Sequence, residues 1–191
     1  MSKARLEAFS DGVIAIIITI MVLELKVPHG HDLDALVPLV PVFFSYVLSF
    51  TFVGIYWNNH HHLLHAAKRS TPALMWANLH LLFWLSLIPF VTGWMGESLT
   101  PVPTALYGAV MAMAGGAYKL LSMVAVSQHG EESKLAQAIG NDLKGFGTFA
   151  GCVVAIPLAF VSPWISIAMY VVLAAVWLIP DSRIAGALES N

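Results

Sequence analysis

Charged side chains are scarce in this sequence. Asp, Glu, Lys and Arg make up 10% of the 191 residues, whereas hydrophobic residues make up 58%. A soluble domain carries roughly 25% charged residues. Together with a mean hydropathy of +0.77, this shortage excludes water as the main solvent and predicts an integral membrane protein.

Basic charge and cysteine are also in short supply. The net charge of −2 leaves no basic surface for nucleic acid, so a nucleic-acid partner is not expected. The single cysteine, Cys152, cannot form an internal disulfide and is assigned a packing role. Neither a glycine-rich phosphate loop nor a Ser/His/Asp arrangement is found outside the apolar runs. We therefore expect no enzyme activity and no cofactor.

Six segments come close to the length of about 20 apolar residues that is needed to cross a bilayer. The last two form one uncharged stretch, which we divide at Ser162-Pro163 because a proline there fits a tight turn between helices. Residues 1–191 are thus predicted to form a single all-α domain with six transmembrane helices. The predicted spans are 8–27, 36–58, 72–95, 103–126, 145–162 and 163–180.

The distribution of basic residues predicts the orientation, because short cytoplasmic loops retain Lys and Arg. The first span is predicted to be retained rather than cleaved as a signal peptide, since Asp11 interrupts the approach to the apolar run. With both termini in the cytoplasm, only Lys26 lies outside and Lys119 falls within the fourth span. The basic residues then on the cytoplasmic side are Lys3, Arg5, Lys68, Arg69, Lys134, Lys144 and Arg183.

The first span is unusually short between its charges. Twelve residues separate Asp11 from Glu24, or about 18 Å of helix. Ionisable groups this close together are costly in lipid, so this helix is predicted to lie inside an assembly. Both of its faces are apolar, and periodicity does not decide between a pore helix and an ordinary packing helix. One stripe comprises Gly12, Ile16, Thr19, Ile20, Leu23 and Val27, and the opposite side Ile14, Ile17, Ile18, Met21, Val22 and Leu25.

A short polar motif precedes this apolar run. Arg5, Phe9, Ser10 and Asp11 resemble the arginine-x-x-x-phenylalanine-serine-aspartate signature of the transmembrane protein 175 family, the lysosomal-type potassium channels. The resemblance extends over essentially the whole chain. A single six-helix copy is similar to the prokaryotic branch, which implies a potassium-selective channel that assembles as a homotetramer in a prokaryotic plasma membrane, with potassium as the permeant ion.

The resemblance also implies roles for residues of the first helix. Four copies of it would surround the ion path, with Ile16 as the narrowest apolar ring and Ile20 and Leu23 continuing the constriction. Thr19 would present hydroxyls for selectivity. An apolar ring closes a pore by dewetting, because an ion must shed water without a ligand to replace it.

The motif residues themselves are expected to form a polar network at the inner mouth rather than to touch every ion. The predicted members are Arg5, Phe9, Ser10, Asp11, His60, His61 and His80. Two local roles remain open beside this one: Ser10 or Asp11 could cap the first helix, and Arg5 could reach the headgroups.

Other residues suggest three alternatives to the channel. His61 and His65 share a helical face at i and i+4 and could bind a modulatory metal ion, although no hydrolytic motif accompanies them. A proton-linked transporter or proton leak could use Asp11, Glu24 and the histidines, but paired broken helices are not evident. An intramembrane hydrolase would need ligands converging at one depth.

The run 51–56 faintly resembles a carbonyl filter, which we reject because it lies inside an uninterrupted span.

Overall fold

Prolines stand at the start of most helices. Pro72, Pro101 and Pro163 each occupy the first helical position of their segment. Proline suits this position because its fixed φ fits the helix and its missing N–H would have no partner there. Thr71 caps one of these helices, since its hydroxyl accepts a hydrogen bond from the Leu74 N–H at 3.2 Å. The local sequence therefore sets where these helices begin.

The computed structural model describes residues 2–128 and 143–178. A 3₁₀ helix, Leu33–Leu39, leads into the second α-helix. The helices are α1 (Lys3–Leu23), α2 (Val40–Ala66), α3 (Pro72–Ser86), α4 (Ile88–Glu97), α5 (Pro101–Val126), α6 (Leu143–Leu158) and α7 (Pro163–Leu178). The predicted cytoplasmic residues Lys134 and Arg183 lie outside the described residues.

Within the part of the chain that the structure describes, four stretches are long and apolar enough to cross a bilayer: Lys3–Leu23, Leu33–Ala66, Pro72–Glu97 and Pro101–Val126. The helices α6 and α7 are apolar and are described over 16 residues each; the last two residues of the predicted span 163–180 lie outside the described residues. The turn at Ser162-Pro163 is where the sequence predicted it, because α7 begins at Pro163.

Most predicted spans have different bounds in the structure; the second was predicted over 36–58, whereas α2 is Val40–Ala66. The differences in the first and third spans bear on the site. The first was predicted over 8–27, but α1 begins at Lys3 and ends at Leu23. Ser10 and Asp11 therefore lie inside the helix, and the alternative in which either one caps it is wrong. The third span, predicted as unbroken over 72–95, changes from α3 to α4 at Leu87. Pro89 explains the break, because it removes one backbone donor and its ring clashes with the preceding turn.

Contacts between helix ends identify the two ends of the bundle. At one end, the Lys3 ammonium donates a hydrogen bond to the His65 carbonyl, which joins the start of α1 to the end of α2. At the other end, Lys26 pairs with Glu97 and joins the end of α1 to the end of α4. In the interior, α5 packs against α2, α3, α4, α6 and α7. The helix α1 packs on α2, α3 and α4 and thus lies at one side of the subunit.

The closest approach between α5 and α7 depends on a glycine. A Cβ atom at Gly108 would lie 2.2 Å from the Tyr170 hydroxyl, which is fixed by a 3.1 Å hydrogen bond to the Thr104 carbonyl. We expect Gly108→Ala to destabilise the protein by about 1–3 kcal/mol through overpacking, measured by thermal unfolding in detergent. Adding Tyr170→Phe should recover part of the loss. Gly54→Ala, where nothing lies within 4 Å, is the control; equal effects at both glycines would contradict this explanation.

Candidate functional site

The helix α1 has one packed face and one uncovered face. Ile14 and Ile17 are buried against the other helices, with 1% and 3% of their surface exposed. On the other side, Ile16 is 58% exposed and Leu23 is 80% exposed. Thr19 is also exposed. The stripe predicted as a possible pore face is therefore the one that the subunit leaves uncovered.

Acidic groups mark both limits of this uncovered face. Asp11 and Glu24 are exposed and lie at opposite ends of the apolar stretch. Between them, the Thr19 hydroxyl donates a hydrogen bond to the Ile16 carbonyl at 2.9 Å. Because its proton is used within the helix, the Thr19 oxygen can act only as an acceptor toward the uncovered side. An acceptor is what a cation requires.

A groove adjoins the Glu24 end of the uncovered face. It has a volume of about 580 Å³ and lies between α1 and α4, with Ile20, Glu24, Phe90, Trp94 and Glu97 among its lining residues. Lys26 lies beyond the end of α1, and its hydrogen bond to the Glu97 carboxylate raises the pKa of its ammonium above the ordinary value. The groove thus combines an apolar wall with two carboxylates, one of which already has a cationic partner.

Near the other end, three buried side chains connect α1, α2 and α3. His60 Nε2 lies 2.7 Å from Asn78 Oδ1, Asn78 Nδ2 donates to Ser10 Oγ at 2.9 Å, and Ser10 Oγ donates to the Leu6 carbonyl at 2.8 Å. The Asn78 oxygen accepts only if His60 carries its proton on Nε2. The hydrogen bonds then all run in one direction, from His60 through Asn78 to Ser10. We call these three side chains the Ser10–Asn78–His60 network.

The other predicted members of the inner-mouth network lie outside this hydrogen-bonded chain. Asp11 is exposed and accepts a 3.1 Å hydrogen bond from Trp57 Nε1. Arg5 and Phe9 are exposed on α1. His80 lies exposed on α3 and accepts from Trp84 Nε1 at 3.0 Å.

His61 and His65 form part of an exposed stack on α2. Their ring centroids are 6.2 Å apart, and the Trp57 ring lies 6.2 Å from His61 on the other side. Within residues 2–128 and 143–178, no group of three or more His, Cys, Asp or Glu side chains is placed to hold a metal ion. The two imidazoles therefore form a pair, with no third ligand of these types among the described residues.

The sequence interpretation missed two polar features. Asn78 is the central residue of the Ser10–Asn78–His60 network, and it is not among the predicted members. The second feature is a buried hydroxyl cluster in which Thr92 donates to Ser49 at 2.7 Å and Ser49 donates to Tyr107 at 3.1 Å. An amide in an apolar span is costly unless it is paired, so Asn78 carried a usable signal. The hydroxyls did not, because serine and threonine also bond to their own helix.

The fold and this site define a class of protein: a polytopic α-helical membrane protein whose first helix leaves an apolar face uncovered between two carboxylates. A family model described as "Endosomal/lysosomal potassium channel TMEM175" matches residues 5–89. A potassium channel from Chryseobacterium sp. (strain P1-3) is 50% identical over 192 residues, covering 100% of both chains. The chain therefore belongs to the TMEM175 family, whose members are ion channels and not enzymes.

Two further relatives place the chain within this family. A crystal structure of a lysosomal potassium-selective channel TMEM175 homolog from Chamaesiphon minutus superposes with a TM-score of 0.78 and 29% identity, covering 93% of this chain and 96% of that one. The chicken protein named "Endosomal/lysosomal proton channel TMEM175" is 34% identical over 101 residues, 47% of this chain and 20% of the relative. The predicted family and the predicted all-α membrane fold are both confirmed.

Proposed function

We propose that this protein is a potassium-selective cation channel, in which α1 from each of four identical subunits lines a central pore. The observation that carries the proposal is the uncovered face of α1, on which Ile16, Ile20 and Leu23 are exposed. This face lies between the carboxylates of Asp11 and Glu24, and charged groups so close together make α1 costly to expose to lipid. Subunits arranged around an axis would remove this helix from lipid and leave only an ion path beside it.

In this arrangement Ile16 forms the narrowest ring, and Ile20 and Leu23 extend the apolar section. Each side chain is large, and each is at least 42% exposed in the single subunit, so none is needed to fill the core of its own chain. An ion passing through the ring loses water without gaining a ligand, and the dewetted section is a closed gate. Ions move passively down their gradient when the ring is wet.

Selectivity is assigned to Thr19. Its hydroxyl proton is held by the Ile16 carbonyl at 2.9 Å, so four oxygen lone-pair sites would surround a permeating cation one turn from the gate. A ring of four hydroxyls replaces less of the hydration shell than a cage of backbone carbonyls does. Potassium is therefore expected to be preferred over sodium less strongly than in channels with a carbonyl filter.

The proposed arrangement also predicts the membrane and the orientation of the protein in it. The protein lies in a prokaryotic plasma membrane with its N-terminus in the cytoplasm, since Lys3 and Arg5 lie at one end of α1 and the Lys68-Arg69 pair lies at the same end of the bundle. Arg5, Phe9 and Asp11 surround the inner mouth. The permeant potassium ion is cargo, and no resident cofactor takes part.

The subunit number can be measured directly. In lipid nanodiscs, mass photometry of the purified protein should give four copies of the 20.7 kDa chain in one particle, because α1 is shielded from lipid only by its copies. A monodisperse monomer under the same conditions would leave the uncovered face in lipid and would contradict a central pore.

Reversal potentials in planar bilayers test the ion. Under separate potassium, sodium and proton gradients, the current of a potassium channel should reverse near the potassium equilibrium potential. The second candidate is a proton channel, favoured by the name of the chicken relative and by the exposed carboxylates of Asp11 and Glu24. A reversal potential that follows the proton gradient and does not change with the potassium gradient would identify the protein as a proton channel.

The role of Thr19 has its own test. Thr19→Val keeps the shape of the side chain but removes the oxygen, so the potassium-to-sodium permeability ratio should fall about threefold or more while conduction persists. Thr51→Val is the matched control, because Thr51 also donates to a backbone carbonyl, Val47, at 2.9 Å but lies on α2. An unchanged ratio in Thr19→Val would remove Thr19 from the selectivity mechanism.

A further inference from the structure

A second cavity is lined by other helices than α1. It has a volume of about 520 Å³, lies between α2, α5, α6 and α7, and is lined mostly by apolar side chains. Phe52, Ile55, Phe146 and Phe149 contribute to its walls. The size is that of a small-ligand pocket, and no step of ion conduction uses it.

The polar groups in the cavity wall largely bond to the protein itself. Trp177 Nε1 donates to the Thr148 hydroxyl at 2.8 Å, and the Tyr118 hydroxyl donates to the Asn59 carbonyl at 3.3 Å. A buried water needs two to four polar partners. The walls therefore favour a hydrocarbon chain over a water cluster, and the surrounding solvent that supplies hydrocarbon is the membrane.

One rim of the cavity is basic. Lys119 lines it, and Lys144 lies between the lining residues Leu143 and Gly145. Lys119 is seven residues, or about 10 Å, from the end of α5 at Val126, so its ammonium can extend toward the headgroups while its stem lies along apolar surface. Two cations beside an apolar cavity complement a lipid that has an anionic head and a hydrocarbon tail.

The depth of the cavity agrees with this occupant. Residue Gln128, just beyond α5, accepts a hydrogen bond from the Arg69 backbone N–H at 3.2 Å, and Lys119 at the rim lies seven residues before Val126, the last residue of α5. This end of the bundle also holds the start of α1. The rim therefore lies nearer this end of the bundle, within reach of the headgroups of one leaflet, which is the cytoplasmic leaflet in the proposed orientation.

We propose that this cavity binds one acidic phospholipid per subunit, with an acyl chain between α2, α5 and α6 and its phosphate at Lys119 and Lys144. Gly116 then has a specific role. A Cβ atom there would contact only Phe149 within 4 Å, at 3.7 Å, so the absent side chain leaves room for the lipid tail. The inference does not depend on which ion the channel carries.

Competition between two lipids tests the headgroup. The full-length protein is taken from nanodiscs that contain equal amounts of phosphatidylglycerol and phosphatidylcholine, and retained lipid is counted by native mass spectrometry. The wild type should retain phosphatidylglycerol preferentially, and Lys119→Gln/Lys144→Gln should lower its retention about fivefold or more. Lys68→Gln/Arg69→Gln, which removes the same number of charges at the same end of the bundle, should have no effect. Equal retention of the two lipids by the wild type would overturn the proposal.

Fluorescence tests the tail. Phosphatidylglycerol with brominated acyl chains should quench the Trp177 emission, obtained as the difference between the wild type and Trp177→Phe. Gly116→Leu fills the cavity without changing its charge and should abolish this quenching while the oligomer remains monodisperse. If the Trp177 emission is not quenched in the wild type, or is quenched equally in Gly116→Leu, the cavity does not hold an acyl chain.

Discussion

Ile16→Asn is expected to raise the resting conductance by an order of magnitude or more. In the proposed tetramer, four asparagine side chains would replace the apolar ring and lower the free energy of hydrating the narrow section. Because Ile16 is 58% exposed in the subunit, replacing it removes few contacts within its own chain. Single-channel currents and open probability in planar bilayers measure the effect, with the yield of folded oligomer recorded alongside.

Ile17 provides the matched control, since it is the same residue type one position further along α1. It is 3% exposed, so Ile17→Asn buries an amide in the core. The free energy of unfolding should fall by about 2–4 kcal/mol, and the yield of folded protein should fall with it. Conductance per folded channel should stay near the wild-type value. If Ile17→Asn opens the channel and Ile16→Asn does not, the pore face lies on the other side of α1 and Thr19 loses its role with it.

Asn78→Leu is expected to produce the second large effect, a loss of about 2 kcal/mol in the free energy of unfolding. The substitution removes the acceptor of the 2.7 Å bond from His60, which is 1% exposed, and a buried donor without a partner loses roughly 1–3 kcal/mol. Ser10 is less affected, because its hydroxyl still donates to the Leu6 carbonyl. Thermal unfolding in detergent measures the change.

A double-mutant cycle isolates the contact between the two side chains. His60→Leu combined with Asn78→Leu should lose less stability than the sum of the single changes, with a coupling of about 1–2 kcal/mol, the upper range for hydrogen bonds between membrane helices. Asn58→Leu, at an exposed position of α2, should be close to neutral. Strict additivity of the two changes would show that the hydrogen bond contributes nothing to stability.

Much of the architecture could be predicted because membrane insertion is dominated by composition. Apolar runs of spanning length located the helices, and the proline at Pro163 located the turn before α7. The break at Leu87 was missed because proline is tolerated within membrane helices, so Pro89 alone does not separate a kinked span from two helices. The predicted first span began later than α1 because apolar composition marks the part of a helix that crosses the bilayer, whereas α1 begins in the polar segment at Lys3.

The site was only partly predictable. The motif located Ser10 and Asp11, and His60 was among the candidate imidazoles. However, Asn78 is 68 positions from Ser10 along the chain, and which side chain of α3 faces α1 depends on the rotation of both helices. His80 was an equally reasonable candidate from spacing alone. In the structure it faces outward and bonds to Trp84.

The amino-acid sequence by itself determined that the chain is a helical membrane protein, where most spans lie, and which family its motif resembles, because these depend on composition and local order. Only the tertiary structure decided which face of α1 is packed. Isoleucines at positions 14, 16 and 17 have the same hydrophobicity, and a helix that is apolar all round carries no periodic signal to distinguish its faces. Packing against α2, α3 and α4 buried Ile14 and Ile17 and left Ile16 exposed.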